Sequence, residues 1–305
     1  GSSLMSILVD GATRVLIQGI TGTQGRRHTE FSIDYGTNVV AGVTPGKAGQ
    51  DVRGVPVFDT GADAVAETGA EETVLYVPAA AVPGAVEDAV AAGIKLIVGT
   101  SEGISRQQAA YFRALTEAKG ARLVGFNTTG VLSAGEAKLG GIGGEVSDFL
   151  YPRGRIGVCS RSGGLTGEIG LAMKQDGYGI STALAMGGDW ITGTPMVEYV
   201  RLFEQDPDTD AIILFGETGT DNELEVAEHL VANGMKKPVI ALLAGRFQEN
   251  YPPGISFGHA AAMIGNDKQT ISAKAKALTD AGAAVIATLE EVPWRLRDFG
   301  VRPSN

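Results

Sequence analysis

Short apolar runs rich in Val, Ile and Leu alternate with longer amphipathic or Ala-rich stretches along the chain. Near-continuous apolar runs of this length, separated by helical stretches, are typical of parallel strands that helices cover on both faces. The first half of the chain contains five such candidate strands, at residues 14–18, 38–43, 73–77, 96–99 and 122–125. The second half contains five more, at residues 155–160, 183–186, 211–215, 238–244 and 284–288. The pattern therefore predicts an α/β fold with two doubly wound layer structures.

The alternation lapses between residues 128 and 155, where the sequence becomes polar and rich in glycine. We therefore predict one domain over residues 5–130, a Gly-rich linker over 131–154 and a second domain over 155–305. Residues 1–4, which precede Met5, are interpreted as an expression scar and are left out of the first domain.

Composition supports a folded protein and points to ligand-binding turns. The 305 residues suffice for two domains, and the contents of 20% charged and 44% hydrophobic residues are those of an ordinary globular protein. The 44 glycines are roughly twice the average usage and have no collagen-like period. Such glycines are expected in tight turns where the backbone approaches a ligand.

Charge and cysteine content exclude several classes of protein. A net charge of −10 argues against nucleic acid as a partner, because such binding requires many cationic side chains. No apolar run reaches the roughly 18 residues of a membrane span, and no signal peptide is predicted. The single cysteine, Cys159, suits a reducing compartment. We expect the cytoplasm of a bacterium, with the mitochondrial matrix as the alternative.

A first glycine loop follows the first predicted strand. It runs from Gly19 to Gly25 with the spacing G-x-x-G-x-x-G and leads into a predicted helix. The order strand, glycine turn and helix directs free N–H groups and the helix dipole at a phosphate. This spacing is a weak signal by itself, because an ordinary tight turn has the same order.

The end of the second predicted strand narrows the ligand class. A NAD site places an acid there to bind the ribose hydroxyl groups, whereas this chain has Lys47. A cation fits a ribose that carries a phosphate, as in CoA and in NADP, although a solvated turn lysine is the simpler alternative. The loops at 76–79 and 100–103 follow further strands, where an open parallel sheet binds its ligand.

A second glycine loop, Ser162-Gly163-Gly164, follows the strand predicted at 155–160. It exposes a helix N-terminus beside Arg161, which suits a phosphate without a sugar. Plain N-capping by Ser162 is the alternative interpretation.

His259 lies between small residues in a loop that follows the strand predicted at 238–244. Small neighbours leave an imidazole reachable by a bulky partner, as a nucleophile requires, although the spacing alone favours a surface histidine. Glu217, at the end of the strand predicted at 211–215, is the acid best placed to orient that ring. His28 and His229 fall on predicted helices and are interpreted as structural or solvated.

These motifs, in this order and spacing, resemble the α subunit of succinyl-CoA synthetase and related NDP-forming acid–CoA ligases. The resemblance extends from Met5 to about Phe299. It is carried by Gln18-Gly19-Ile20-Thr21-Gly22-Thr23-Gln24-Gly25, Gly42-Val43-Thr44-Pro45-Gly46-Lys47, Tyr76-Val77-Pro78-Ala79, Thr100-Ser101-Glu102-Gly103, Ser160-Arg161-Ser162-Gly163, Gly187-Gly188-Asp189, Gly216-Glu217 and Gly258-His259-Ala260. It implies a Rossmann-like CoA-binding domain followed by a flavodoxin-like domain with a phosphorylated histidine.

The same resemblance implies the chemistry and the site. His259 is the expected phosphocarrier and Glu217 the orienting acid, while Ser162, Gly163 and Gly164 receive the phosphate. The implied CoA site consists of Thr21, Gly22, Thr23, Gln24, Lys47, Tyr76, Val77, Pro78, Thr100, Ser101, Glu102 and Asn127. An ATP-grasp β subunit is the implied partner. The site for ATP or GTP with its Mg²⁺ is expected to lie mainly on that subunit, so no metal site is expected in this chain. Whether the assembly is αβ or a dimer of αβ stays open.

The chain departs from the usual family pattern at Thr128 and Thr129, at Gly164 and at Trp190. These departures leave the acid open between succinate and a related small carboxylic acid. Two other functions remain as alternatives, an NADP-dependent oxidoreductase and a non-catalytic CoA-binding protein. The oxidoreductase leaves the second glycine loop and His259 without a role.

Overall fold

The computed structural model describes residues 7–256 and 258–304. The predicted start of the first domain at residue 5, residues 1–4, Phe257 and residue 305 lie outside this range. The described residues form two compact units. The first unit contains residues 8–148 and 191–194, and the second contains Ile7 and residues 149–190 and 195–304.

The first unit is built on a sheet of order β3-β4-β2-β1-β5-β6-β7, in which all neighbours are parallel except β3 and β4. Its core lies between this sheet and its helices, around the fully buried strand β1. The elements are β1 (Val15–Gln18), α1 (Thr23–Tyr35), β2 (Val39–Val43), β3 (Asp51–Val52), β4 (Val55–Phe58), α2 (Gly61–Thr68), β5 (Glu72–Leu75), α3 (Val82–Ala91), β6 (Leu96–Gly99), α4 (Arg106–Ala118), β7 (Arg122–Gly125), β8 (Gly130–Ser133) and β9 (Ala137–Leu139).

The second unit contains a parallel sheet with the strand order β14-β13-β12-β10-β11. The chain enters it through the short helix α5 (Ser147–Leu150). The remaining elements are β10 (Arg153–Ser160), α6 (Gly163–Lys174), β11 (Ile180–Ala185), α7 (Met196–Gln205), β12 (Ala211–Glu217), α8 (Asn222–Asn233), β13 (Val239–Ala244), α9 (Ile271–Asp280), β14 (Ala284–Ile286) and α10 (Glu291–Asp298).

All ten predicted strands are present, with ends that differ by three residues or fewer, and the α/β class is confirmed. The sequence pattern missed two pairs of short strands. In the first pair, β3 joins β4 through an Arg53-Gly54 turn, and only two residues of each strand pair with the other. So short and polar a hairpin leaves no periodic signal.

The second missed pair, β8 and β9, falls where a linker was predicted. All seven of its residues are buried, including Lys138 on β9. The Lys138 ammonium donates to the carbonyl oxygens of Ile142 (3.2 Å) and Gly144 (2.6 Å) and to the Ser147 hydroxyl (2.9 Å). The backbone of this segment therefore binds a buried cation. The compact unit extends to residue 148 and so differs from the predicted boundary at 130.

Within residues 7–256 and 258–304, no helix combines the length and the apolar character that crossing a membrane requires.

A buried carboxyl group at the start of β5 gives this unit a pH dependence. The Oε2 atom of Glu72 is buried and has no hydrogen-bond partner among the described residues. Burial, with Glu71 and Asp10 nearby, raises the pKa of Glu72 to about 8. The folded protein therefore retains a proton that the unfolded chain releases near its ordinary value of 4.5.

We expect wild-type stability to fall as the pH rises from about 4.5 to about 8, because the unfolded state then binds fewer protons. Glu72→Gln removes this titration. The free energy of unfolding of the variant minus that of wild type should therefore increase as the pH rises, by at most about 1.4 kcal/mol per pH unit. Thermal unfolding between pH 5 and pH 8.5 measures the difference. Glu67→Gln, an exposed change on α2, is the control, and a constant difference between Glu72→Gln and wild type would contradict the expectation.

Candidate functional site

The first unit holds a cavity of about 690 Å³ at the carboxyl ends of its parallel strands. Loops that follow β1, β5, β6 and β7 converge there, as expected for a ligand site on an open sheet. The lining residues are Gly22, Thr23, Gln24, His28, Tyr76, Val77, Pro78, Thr100, Ser101, Glu102, Thr128, Thr129 and Gly141.

The glycine loop shapes one wall of this cavity. Helix α1 begins at Thr23, and its N-cap residue Gly22 has no side chain to occupy the first N–H groups. The turn is so tight that a Cβ atom on Gly25 would lie 2.1 Å from the Gly19 carbonyl oxygen. The free N–H groups and the positive end of the helix dipole therefore meet the cavity, an arrangement that binds phosphate.

Two aromatic side chains in the cavity have unsatisfied polar atoms. The rings of His28 and Tyr76 stack with centroids 5.3 Å apart. The Nδ1 atom of His28 and the hydroxyl of Tyr76 are buried and have no hydrogen-bond partner among the described residues. Burial raises the pKa of Tyr76 and lowers that of His28, so both groups favour their neutral forms. Buried polar atoms normally have partners, and a ligand such as CoA offers the amide and phosphate groups to supply them.

Nine of the twelve predicted CoA-site residues line this cavity. The other three are Thr21, Lys47 and Asn127. The Thr21 hydroxyl donates a hydrogen bond to the Thr44 hydroxyl (3.0 Å), and Lys47 lies on the exposed turn after β2. The backbone N–H of Asn127 donates to the Ser101 carbonyl oxygen (3.1 Å).

His28, which the sequence predicts to be structural or solvated, lines the cavity. Its position could have been found from its spacing, because Gln24 and His28 are four residues apart and share one face of α1. The contribution of Gly141 could not have been found in this way. It depends on the long-range packing of that backbone against the His28 ring, where a Cβ atom would lie 2.7 Å from the ring.

The second unit brings His259 and Glu217 together. The Nδ1 atom of His259 lies 2.8 Å and 3.0 Å from the two carboxylate oxygens of Glu217, the last residue of β12. The Glu217 side chain is 12% exposed and that of His259 is 34% exposed, so the ring is reachable while its acid is mostly buried. The backbone of Gly188 lies under the ring, where a Cβ atom would lie 2.6 Å from His259 Cγ.

A buried guanidinium group lies beside this pair. Arg161 is 1% exposed, donates from Nη2 to the Asp189 carbonyl oxygen (3.1 Å) and places Nε 3.6 Å from Glu217 Oε1. Its Nε and Nη1 atoms have no hydrogen-bond partner among the described residues. A buried cation with free N–H groups is suited to an anionic ligand.

The electrostatics of His259 are dominated by its acid. The hydrogen bond to Glu217 raises the pKa of the ring, while burial and Arg161 oppose the rise and Asp189 adds to it. The carboxylate accepts a hydrogen bond from Nδ1–H, so in the neutral ring the proton is on Nδ1 and the lone pair is on Nε2.

The second glycine loop precedes this cluster along the chain. Ser162 caps α6 by accepting from the Leu165 amide (3.4 Å), so the predicted alternative of N-capping is present. This cap uses one N–H group and leaves those of Gly163 and Gly164 available to an anion. A Cβ atom on Gly164 would meet no atom within 4 Å, so the start of the helix is open.

The remaining reactive residues of the second unit are accounted for by packing. His229 is buried and pairs with Glu204 (3.0 Å) and Asn233 (3.1 Å), which makes it structural. Cys159 is fully buried, which raises the pKa of its thiol and keeps it in the unreactive form. No cluster of His, Cys, Asp and Glu suited to a metal ion occurs within residues 7–256 and 258–304.

Comparison with known proteins identifies relatives of both units. A family model described as CoA binding domain matches residues 10–103, and one described as CoA-ligase matches residues 159–284. The succinate–CoA ligase (ADP-forming) subunit alpha 1 of Archaeoglobus fulgidus is 43% identical over 96% of this chain and 98% of its own length. The corresponding alpha subunit of Aquifex aeolicus is also 43% identical, over 92% of this chain and 90% of its own.

Solved structures support the fold. ATP citrate lyase from Methanothrix soehngenii, in complex with citrate and coenzyme A, matches 98% of this chain with a TM-score of 0.86 and 23% identity. An acetyl-coenzyme A synthetase from Ca. Korarchaeum cryptofilum matches 92% of it with a TM-score of 0.72 and 18% identity. This chain spans 52% and 59% of those two chains.

The Glu217→Gln substitution tests the electrostatic role of the acid. The pKa of His259 should fall toward or below its ordinary value of 6.5, because burial and Arg161 then act without the Glu217 carboxylate. In wild type, the stability from the raised pKa is fully present below pH 6.5 and is lost as the pH rises through the raised value. NMR titration of the ring measures the shift, with Glu228→Gln on the exposed face of α8 as control. An unchanged pKa in Glu217→Gln would contradict this account.

Proposed function

The chain belongs to the α-subunit family of ADP-forming succinate–CoA ligases, and on this basis we propose that His259 carries a phosphoryl group during ligation. The protein is a CoA-binding subunit of an NDP-forming acid–CoA ligase. Its overall reaction joins a carboxylate to CoA and converts a nucleoside triphosphate into the diphosphate and phosphate.

The contact between His259 and Glu217 carries this proposal. A nucleophilic imidazole needs a reachable nitrogen with a free lone pair and a partner that fixes the tautomer. Glu217 engages Nδ1 at 2.8 Å, so Nε2 is the nitrogen that can attack phosphorus. When Nε2 bonds to the phosphoryl group the ring becomes cationic, and the same carboxylate stabilises that charge.

Two further groups support the transfer of an anion at this site. The Nε and Nη1 atoms of Arg161 are buried and make no hydrogen bond within the described residues. The buried guanidinium interacts more strongly with charge than it would in water. The N–H groups of Gly163 and Gly164 form a helix N-terminus that favours phosphate. Ser162 orders that N-terminus through its cap.

The proposed transfers balance in three steps. His259 Nε2 forms a bond to the terminal phosphorus of the nucleotide as the bond to the diphosphate breaks. A carboxylate oxygen of the acid then takes the phosphoryl group, which restores the neutral ring and gives an acyl phosphate. Attack by a thiolate on the acyl carbon releases phosphate and leaves a thioester.

The CoA cavity of the first unit is proposed to hold the phosphates of CoA at the start of α1 and its amides near His28 and Tyr76. The N–H groups of the glycine loop and the two unpaired polar atoms support this placement. Lys47 lies on an exposed turn and is proposed to approach the ribose phosphate.

The partner is proposed to be an ATP-grasp β subunit that binds ATP or GTP with Mg²⁺. The relatives are named as alpha subunits of ADP-forming enzymes, which supports a second subunit and favours ATP. A cytoplasmic location and an αβ or doubled αβ assembly stay predictions.

The acid is proposed to be succinate or a related small carboxylic acid. The relatives' names support succinate. The hydroxyl-bearing residues Thr128 and Thr129, which line the cavity, support an acid with further polar atoms. A screen of carboxylic acids with the complete complex decides between them.

Family membership favours a ligase over the NADP-dependent oxidoreductase, and phosphorylation of His259 would exclude a non-catalytic CoA-binding protein.

Labelling with γ-³²P nucleotide tests the phosphocarrier. With the partner subunit present, wild type should form an acid-labile, base-stable phosphoprotein on this chain, and His259→Ala should form none, because it lacks the nucleophile. CoA affinity measured by calorimetry should stay within a few fold, since His259 lies in the second unit and the CoA cavity in the first.

His28→Asn is the matched control, because it changes a histidine in the CoA cavity and should leave the label intact. Undiminished label in His259→Ala, or label that maps to His28 or His229, would refute the proposal.

A further inference from the structure

An ion pair is buried beneath the candidate acid Glu217. Lys274 on α9 is 0% exposed and Glu223 on α8 is 1% exposed. The Lys274 ammonium contacts the Glu223 carboxylate and donates to the carbonyl oxygens of Glu217 (2.6 Å) and Gly219 (2.5 Å). All three donors of this ammonium are therefore used, and two of them hold the backbone that carries Glu217.

Glu223 contacts the same turn from the other side. Its Oε1 atom accepts from the Glu217 amide N–H (3.4 Å). Residue 216 has no side chain, and a Cβ atom there would lie 2.7 Å from Glu223 Cγ. The pair thus holds both the N–H and the carbonyl group of Glu217, and the glycine makes room for it.

The same turn packs against the chain that follows His259. Gly219 has a φ of +79°, and a Cβ atom there would lie 1.9 Å from the Ala261 carbonyl oxygen and 2.6 Å from that of Met263. Its amide donates to the Gln269 carbonyl oxygen (3.2 Å). The turn that Lys274 holds is therefore in contact with the histidine loop and with the segment leading to α9.

We propose that Lys274 and Glu223 are positioning residues that fix Glu217 and the His259 loop in the geometry required for phosphorylation. The inference rests on the proposed phosphocarrier role of His259. The hydrogen bonds of both side chains to this turn go to the backbone of residues 217–219, so both act on Glu217 through its backbone.

Stability alone does not account for this pair. Burying two charges carries a large desolvation penalty, and apolar side chains of similar volume often serve a core equally well. Catalytic groups, in contrast, must be held within roughly 0.5 Å of the productive geometry by their supporting shell. A fully bonded ammonium linked to two carbonyl oxygens of one turn restricts that turn in a way that apolar packing does not.

The double variant Lys274→Met/Glu223→Leu separates the two roles, because it removes both charges and leaves neither one unpaired. It should fold, with a melting temperature near that of wild type and an unchanged CoA affinity. Single-turnover phosphorylation of His259 should slow by roughly 10- to 100-fold, the usual effect of losing a supporting shell, with little change in the nucleotide KM. The pKa of His259, measured by NMR, should move toward that of Glu217→Gln.

Lys276→Met is the matched control, since Lys276 lies on the same helix in an exposed pair with Asp280. In this variant His259 should be phosphorylated at the wild-type rate. If the double variant does not fold, Glu223→Gln takes its place as the test variant, because it keeps the volume of the side chain. It should still slow phosphorylation of His259 about tenfold.

A folded double variant, or Glu223→Gln in its place, that phosphorylates at the wild-type rate overturns the inference. Failure of wild type itself to be labelled on His259 would instead overturn the proposed function, so the two failures are distinguishable.

Discussion

The contact between the Glu217 carboxylate and Nδ1 of His259 is the interaction on which the proposed function of this protein depends. A free imidazole is a weak and unselective nucleophile, because either nitrogen can carry the proton. The carboxylate fixes the tautomer and raises the pKa of the ring. In the proposed reaction it also stabilises the cationic ring that phosphorylation would create. Arg161 limits that rise in pKa and is proposed to bind the incoming anion.

The fold makes this contact possible because a parallel sheet brings functional loops together at the carboxyl ends of its strands. Glu217 is the last residue of β12, and the loop with His259 follows the neighbouring strand β13. The first unit uses the same principle for the proposed CoA cavity, where the loops after β1, β5 and β6 meet. The buried pair of Lys274 and Glu223 supplies the rigidity that loops alone lack.

The sequence allowed the layer structure and most of the candidate site to be predicted, because apolar strands and glycine turns leave local signals. The proximity of Glu217 and His259 could be predicted, because each follows an apolar run that predicts a parallel strand. Lys274 and Glu223 could not be predicted, because nothing local in α8 or α9 shows that these charges are buried against a distant turn. The burial of Lys138 could not be predicted for the same reason, and the glycine-rich segment around it has the composition of a linker.

The position of the phosphoryl group on the imidazole ring tests the central claim most directly. If Glu217 holds Nδ1, the phosphoprotein must carry its phosphorus on Nε2. ³¹P NMR of the labelled complex, compared with the two authentic phosphohistidine isomers, distinguishes the two nitrogens. The account predicts the Nε2 isomer alone on His259, and the Nδ1 isomer would show that Glu217 does not hold the ring during transfer.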